Sequence, residues 1–332
     1  MNSVQVSENH TTISVDKLPM PSKETPFRLK AHAIMPLSVR TDRHAVARAA
    51  GHLGAILLVA AALAQTLGSW AALPLTVLLG YLVAFLFTLE HETAHQTAFK
   101  TRAWNYALGH LAGFASFLPY EYYRVYHWDH HRYTQDPEKD PELSVPLPTS
   151  RLGLVWLFLG VPIWRGRLRM LFMHALLGQV NSRWVSSEKV PMIVREARWY
   201  VVAYLAVAII SVATSSALAV WLWIVPLLVG QLFLRPYLLA EHTGCEHNAN
   251  MLENTRTTYT NRFVHFFAWN MPYHVAHHAY PAVPFHALPA LNKLLEAHTL
   301  YAEKGYHAST VAVVRYLARK RIKKGQTPIG QK

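Results

Sequence analysis

Residues 49–89 read AAGHLGAILLVAAALAQTLGSWAALPLTVLLGYLVAFLFTL, with no charged side chain anywhere in the stretch. One membrane-spanning helix needs about 20 apolar residues, so the stretch is about twice too long for a single crossing. It carries its own break, Gln65-Thr66-Leu67-Gly68-Ser69, followed by Pro74. The reading is two spans, about 50–67 and 72–90, joined by a tight turn. A second uncharged stretch runs from Trp199 to Leu234 and is interrupted at Ser211-Val212-Ala213-Thr214-Ser215-Ser216. It adds two spans, about 198–213 and 217–238. Only 15% of the chain is charged and 52% is hydrophobic, against about 25% charged in soluble domains. The expected fold is an all-α membrane protein, with four transmembrane helices as two hairpins, a cytosolic histidine-bearing cap and interfacial helices.

Neither turn is charged. Basic residues gather elsewhere: Arg40, Arg43 and Arg48 before the first span, Arg165, Arg167, Arg169, Arg195 and Arg198 between the hairpins, and Arg315, Arg319 and Lys320 near the end. The positive-inside rule then places both termini and the central segment in the cytoplasm. If the chain is bacterial, the membrane is the plasma or inner membrane. The net charge of +13 is assigned to anionic lipid and not to nucleic acid. The single cysteine, Cys245, excludes an intrachain disulfide and a cysteine-rich metal module.

Residues 1–45 are expected to form a flexible cytosolic arm without a secretory signal, residues 46–298 the membrane domain, and 299–332 a basic cytosolic tail. Two shorter apolar pieces, Ala103–Pro119 and Leu152–Trp164, are expected to lie in the interface or to re-enter from the cytosolic side. Tyr120, Tyr122, Tyr123, Trp156 and Trp164 suit that level of the bilayer.

Four histidine groups stand out. His91-Glu92-Thr93-Ala94-His95 fits the H-E-x-x-H of zinc peptidases. His127-Trp128-Asp129-His130-His131 and His274-Val275-Ala276-His277-His278 each spell H-x-x-H-H, and Glu241-His242-Thr243-Gly244 directly follows the fourth span. Spacings of three and four share one helix face. The charge-based topology, drawn without using the histidines, brings all four groups to one face. Imidazole suits iron, zinc, copper and nickel. Nine candidates exceed the three or four protein ligands of one zinc, so two metals are expected, and O2-binding iron suits a sulfur-free set. The expected ligands are His91, His95, His127, His130, His131, His242, His274, His277 and His278, with His247 the alternative to His242. The scattered histidines, such as His52, His110 and His265, are read as ordinary polar residues, and His286 as structural or as a partner of a ligand.

Ligating histidines hand their other N–H to a carboxylate or carbonyl. Asp129, Asp136, Glu241 and Asn270 are the preferred partners, ahead of Glu92 and Asp140. Two other readings compete. An intramembrane zinc metallopeptidase would use His91 and His95 as ligands and Glu92 as general base, leaving seven histidines without a task. A metal transporter would place its site near the bilayer midplane, not at the span ends.

The three boxes resemble those of the integral-membrane fatty acid desaturase and hydroxylase superfamily. Thr134-Gln135-Asp136-Pro137 is similar to the Asp-Pro that trails the second box in desaturases, and Glu241-His242-Thr243-Gly244 looks like the fourth histidine motif of membrane alkane monooxygenases. The closing Asn270-Met271-Pro272-Tyr273-His274 fits the same group, and the resemblance covers roughly residues 50–295. It implies four transmembrane helices and a non-haem di-iron centre held by the nine histidines. It also implies O2-dependent attack on an unactivated C–H bond of an apolar substrate, in the first place a fatty acyl lipid. Desaturation is the expected outcome, with hydroxylation by the same centre the alternative. No His-Pro-Gly-Gly of a fused haem domain is present. A separate ferredoxin, rubredoxin or cytochrome with its reductase is therefore expected to deliver electrons, docking on the basic cytosolic surface.

Overall fold

The structure, a computed structural model, describes residues 27–148 and 150–325. The arm expected at 1–45 therefore lies largely outside the described residues, as does the end of the tail. Four helices are long and apolar enough to cross a membrane: Asp42–Thr66, Ala72–Ala94, Ser187–Ala213 and Val220–His242. At about 1.5 Å per residue they run about 35–40 Å, more than the roughly 30 Å of bilayer hydrocarbon. The first and third begin earlier than hydropathy alone suggests. Their opening turns carry Asp42, Arg43 and Arg48, and Lys189 and Arg195, because a helix starts where its first turn is capped, as Thr41 caps the first by accepting from Arg43 N, and not where hydropathy rises.

The second and fourth spans form the centre. They are about half or more than a third buried, 56% and 39%, while the first and third are only 17% buried and show Leu57, Leu58, Trp199, Leu205 and Ile209 to the outside. Glycines allow the central contact: a Cβ on Gly80 or Gly230 would collide with the other helix's backbone. The fourth span is irregular, with a π-helical turn at Val220–Ile224 and prolines at 226 and 236. Such interruptions in a span are tolerated where neighbouring helices surround them.

Of the two placements expected for the apolar pieces, the interface or re-entry, the structure shows the second: both descend between the spans. Helix Arg102–Ala115 runs to a turn at Ser116–Pro119 and returns as helix Tyr120–Tyr133. Phe117 sits at the bottom with φ 55°, stacked on Tyr204 at 4.4 Å and Trp223 at 5.1 Å. Trp223 Nε1 donates to the Ala115 carbonyl at 2.8 Å, and Trp223 lies at the start of the fourth span, far in sequence from His242. A second dip is made by helices Arg151–Phe158 and Val161–Ala175 around Gly160, whose φ of 75° only glycine adopts freely.

The all-α fold expected from the sequence holds no strand. Arg256–Tyr259 and Tyr301–Lys304 nevertheless pair as two short parallel strands. Local pattern misses them because four residues of Arg-Thr-Thr-Tyr carry little signal until a distant partner closes the ladder. The described part of the expected tail is folded as well. Helix Tyr306–Gly325 packs on the fourth span, with Tyr306 on Tyr237 at 5.2 Å and Val313 and Leu317 buried. At the other end, Leu29 N donates to the Tyr280 hydroxyl at 2.7 Å and Phe27 stacks on His298. From Phe27 onward the arm is docked against the cap.

Candidate metal centre

All nine histidines singled out by spacing are buried together. Each arrives on an element that ends or bends beside it. His91 lies in the last turn of the second span and His95 caps it, after which Gln96 takes φ 59° and turns the chain away. Helix Tyr120–Tyr133 brings His127, His130 and His131. Its first turn is held by Glu196 of the third span, which accepts from Glu121 N at 2.8 Å and Tyr122 N at 3.3 Å. His242 is the last residue of the fourth span, and Gly244 leaves it at φ 82°. His274, His277 and His278 sit on the short helix His274–Ala279. The chain enters it through Trp269 and Asn270, at φ 51° and 60°. Asn270 Nδ2 donates to the Phe285 carbonyl at 3.0 Å.

The nine divide into two adjoining groups. His91, His95, His127, His131 and His277 form one, with a ligating atom of each within 4.8 Å of the others. His130, His242 and His278 form the second, and His274 Nε2 lies 3.1 Å from His242 Nε2. His131 stacks on His278 at 4.0 Å where the groups meet. Each H-x-x-H-H does present one face, and that face is wide enough to serve both groups. Positions i and i+4 are about 40° apart around a helix, and i+3 falls about 60° to the other side. In both boxes the middle histidine crosses to the other group.

The electrostatics favour neutral imidazoles. Burial, with the charge of His130, pushes His95 down to about 3. His127, His131, His274, His277 and His278 are held well below the usual imidazole range by burial and by one another. His130 is the exception. Burial opposes its charge, but Glu142 and Asp140 outweigh it and raise its pKa.

These residues fit a metal. His127 Nε2 lies 2.8 Å from His95 Nε2 and 3.0 Å from His131 Nε2, which in turn is 3.2 Å from His277 Nε2. Two nitrogens bound at right angles, each about 2.1 Å from one ion, would be about 3.0 Å apart. The Nδ1 atoms of His91, His95, His127, His131 and His277 are buried without a partner. Crowded neutral imidazoles with too few protons to pair with one another suit a shared cation. All-imidazole sets suit iron, zinc, copper or nickel.

The surrounding groups sort differently from the sequence expectation. Asp140, fully buried, meets His130 Nδ1 at 2.9 Å and accepts from Gln135 N and Glu142 N. Asp136 instead closes a turn, accepting from Glu138 N and Lys139 N. Asp129 pairs with Arg132 at 3.4 Å on the outside of the helix. Glu241 Oε1 lies 3.5 Å from His274 Nδ1. Asn270 braces its loop and touches no histidine of the two groups by hydrogen bond. Glu92 accepts from Thr97 Oγ1 and Phe285 N, both at 3.0 Å. Sequence reasoning missed Thr134, whose hydroxyl is 3.2 Å from His278 Nδ1, and the Asn254 carbonyl, 3.2 Å from His242 Nδ1. His247 reaches only the Gln135 carbonyl, at 3.1 Å, and joins neither group.

A family model described as fatty acid desaturase matches residues 68–310. The chain is 28% identical over 267 residues to dihydrorhizobitoxine desaturase of Bradyrhizobium elkanii, covering 74% of each chain. It is 22% identical over 246 residues to the chloroplastic omega-6 fatty acid desaturase of Spinacia oleracea, covering 68% of this chain and 54% of that protein.

Proposed function

This chain belongs to the fatty acid desaturase family, and from that premise we propose that it is a membrane di-iron oxidoreductase that desaturates an alkyl or fatty acyl chain. One observation carries the reading: eight buried histidines in two adjoining all-imidazole groups, with His274 3.1 Å from His242 beside the second. His91, His95, His127, His131 and His277 would hold one iron. His130, His242, His274 and His278 would hold the other. Iron bound there would supply, with O2 and two electrons, the power to take hydrogen from an unactivated C–H bond.

The protein's own part is to orient and exclude. Asp140 takes the Nδ1–H of His130, which turns its Nε2 inward. The Asn254 carbonyl takes the Nδ1–H of His242, so its Nε2 is the free ligand. Buried walls from the second span, the dip at 102–133 and the fourth span keep bulk water away. The metal face is assigned to the cytoplasm by the basic residues around it, and a soluble ferredoxin, rubredoxin or cytochrome would reach it there.

Both named relatives are desaturases, which favours desaturation over hydroxylation. The peptidase reading weakens because Glu92 spends one oxygen on Thr97 and Phe285 and makes no hydrogen bond to the histidines. The test is the metal content of anaerobically purified protein, with two irons per chain expected. One zinc and no iron would overturn the proposal. Lipid mass spectrometry of expressing cells should show a new double bond with wild type and none with His278→Ala.

A further inference from the structure

Trp128 stands alone between solvent and the larger histidine group. It lies inside the second box but faces away from it, 41% exposed where His127, His130 and His131 are buried. Its inner edge still reaches the histidines. The indole meets His95 edge-on at 5.0 Å between ring centres and lies 6.4 Å from the ring of His131. Its Nε1 donates to the carbonyl of Ala94, the neighbour of His95, at 3.3 Å. Phe87 packs on His91 and Tyr123 on His127, but neither is exposed. Among the described aromatic residues outside the nine histidines, Trp128 is the one both exposed and packed on an expected ligand.

The outer side of Trp128 opens on a surface cleft of about 190 Å³. Trp184 and Lys189, from the segment that enters the third span, line it together with Arg132 and Asp129. Two cations thus face one acid, and the Arg132 side chain is 67% exposed. A tryptophan that only anchors a protein at the bilayer surface turns its polar edge to the headgroups. Here the N–H is spent inside the protein and the open side is flanked by charge. Exposed tryptophan with arginine is the usual composition of a protein-docking centre.

Electron transfer through protein falls off steeply with distance, so a carrier must approach where the wall over the metal is thinnest. We propose that Trp128 is the point of electron entry, covered by a small acidic one-electron carrier protein that Arg132 and Lys189 attract to the cleft. The inference rests on the proposed di-iron reading and gives its carrier a place. Each carrier is oxidised by one electron, and two such transfers reduce the centre by two electrons. The indole and His95 form the path and end unchanged, with no bond made or broken in the protein.

The test mixes full-length, iron-loaded, oxidised protein in detergent with a reduced plant-type ferredoxin or a reduced rubredoxin, without oxygen, and follows the carrier's own absorbance by stopped flow. Trp128→Ala should slow the saturated rate several-fold, with Trp128→Phe in between. Iron per chain and the electrons taken up in a dithionite titration should match wild type. The wild-type rate below saturation should fall about ten-fold or more from low to high salt. Lys189→Glu should raise the carrier concentration at half-saturation and flatten that salt dependence, leaving the saturated rate in place. A saturated rate untouched by Trp128→Ala, a salt dependence untouched by Lys189→Glu, or iron-loaded wild type that oxidises neither carrier would refute the proposal alone. Protein that holds no iron would instead refute the di-iron reading, and this proposal with it.

Discussion

His127, His130 and His131 share one spacing with His274, His277 and His278, yet the two boxes divide in opposite ways. In the first, the i and i+4 residues join His91 and His95, and the middle one crosses to His242. In the second, the middle one crosses to His91 and His95, while His278 joins His242 and His274 lies beside it. The first box rides a 14-residue helix and the second a 6-residue helix. They meet where His131 stacks on His278. A repeated spelling thus specifies three imidazoles on a helix, and the crossing of two helices specifies which site each one serves.

The largest expected effect separates the two groups directly. His278→Ala removes a member of the smaller group and should abolish activity with loss of about one iron per chain, the other group retaining its five histidines. His277→Ala leaves four in the larger group and should lose activity with less metal loss. Iron assay with Mössbauer spectra of both variants checks this. Equal iron loss from both would break the division.

Asp140→Asn comes next. It keeps the shape beside His130 but removes the buried carboxylate, and should cost about 10–100-fold in metal affinity or activity. Asp129→Asn, on the outer face of the same helix, should stay within about two-fold. If the two variants lose iron equally in a chelator competition, the assignment of Asp140 fails. A smaller effect concerns the entry to the second box. Asn270→Ala loses the bond to Phe285 and places alanine at φ 60°. It should destabilise by about 1–3 kcal/mol, read as a lower chemical-denaturation midpoint with iron still bound. The smallest is His247→Ala, expected near wild type in iron content, whereas His242→Ala should lose the metal of the smaller group.

Asp136 and Asp140 show where sequence reasoning reached its limit. Each is followed by proline, and the second box is trailed by both. The first spends its side chain on the turn that swings the second back to His130. Spacing along the chain cannot distinguish the residue that makes a turn from the one that profits from it. The dips at 102–133 and 151–175 had the same difficulty. Their apolar pieces are too short to span, and only contacts with Tyr204, Trp223 and Gln231 place them between the spans.

The sequence by itself determined the four spans and the nine histidines. Uncharged length and helical spacing are local properties, readable without any partner. Tertiary structure alone decided how the histidines divide and which carboxylate backs His130. Those outcomes depend on how helices distant in sequence cross, and each is settled by distances of a few ångströms between side chains that the chain order keeps far apart.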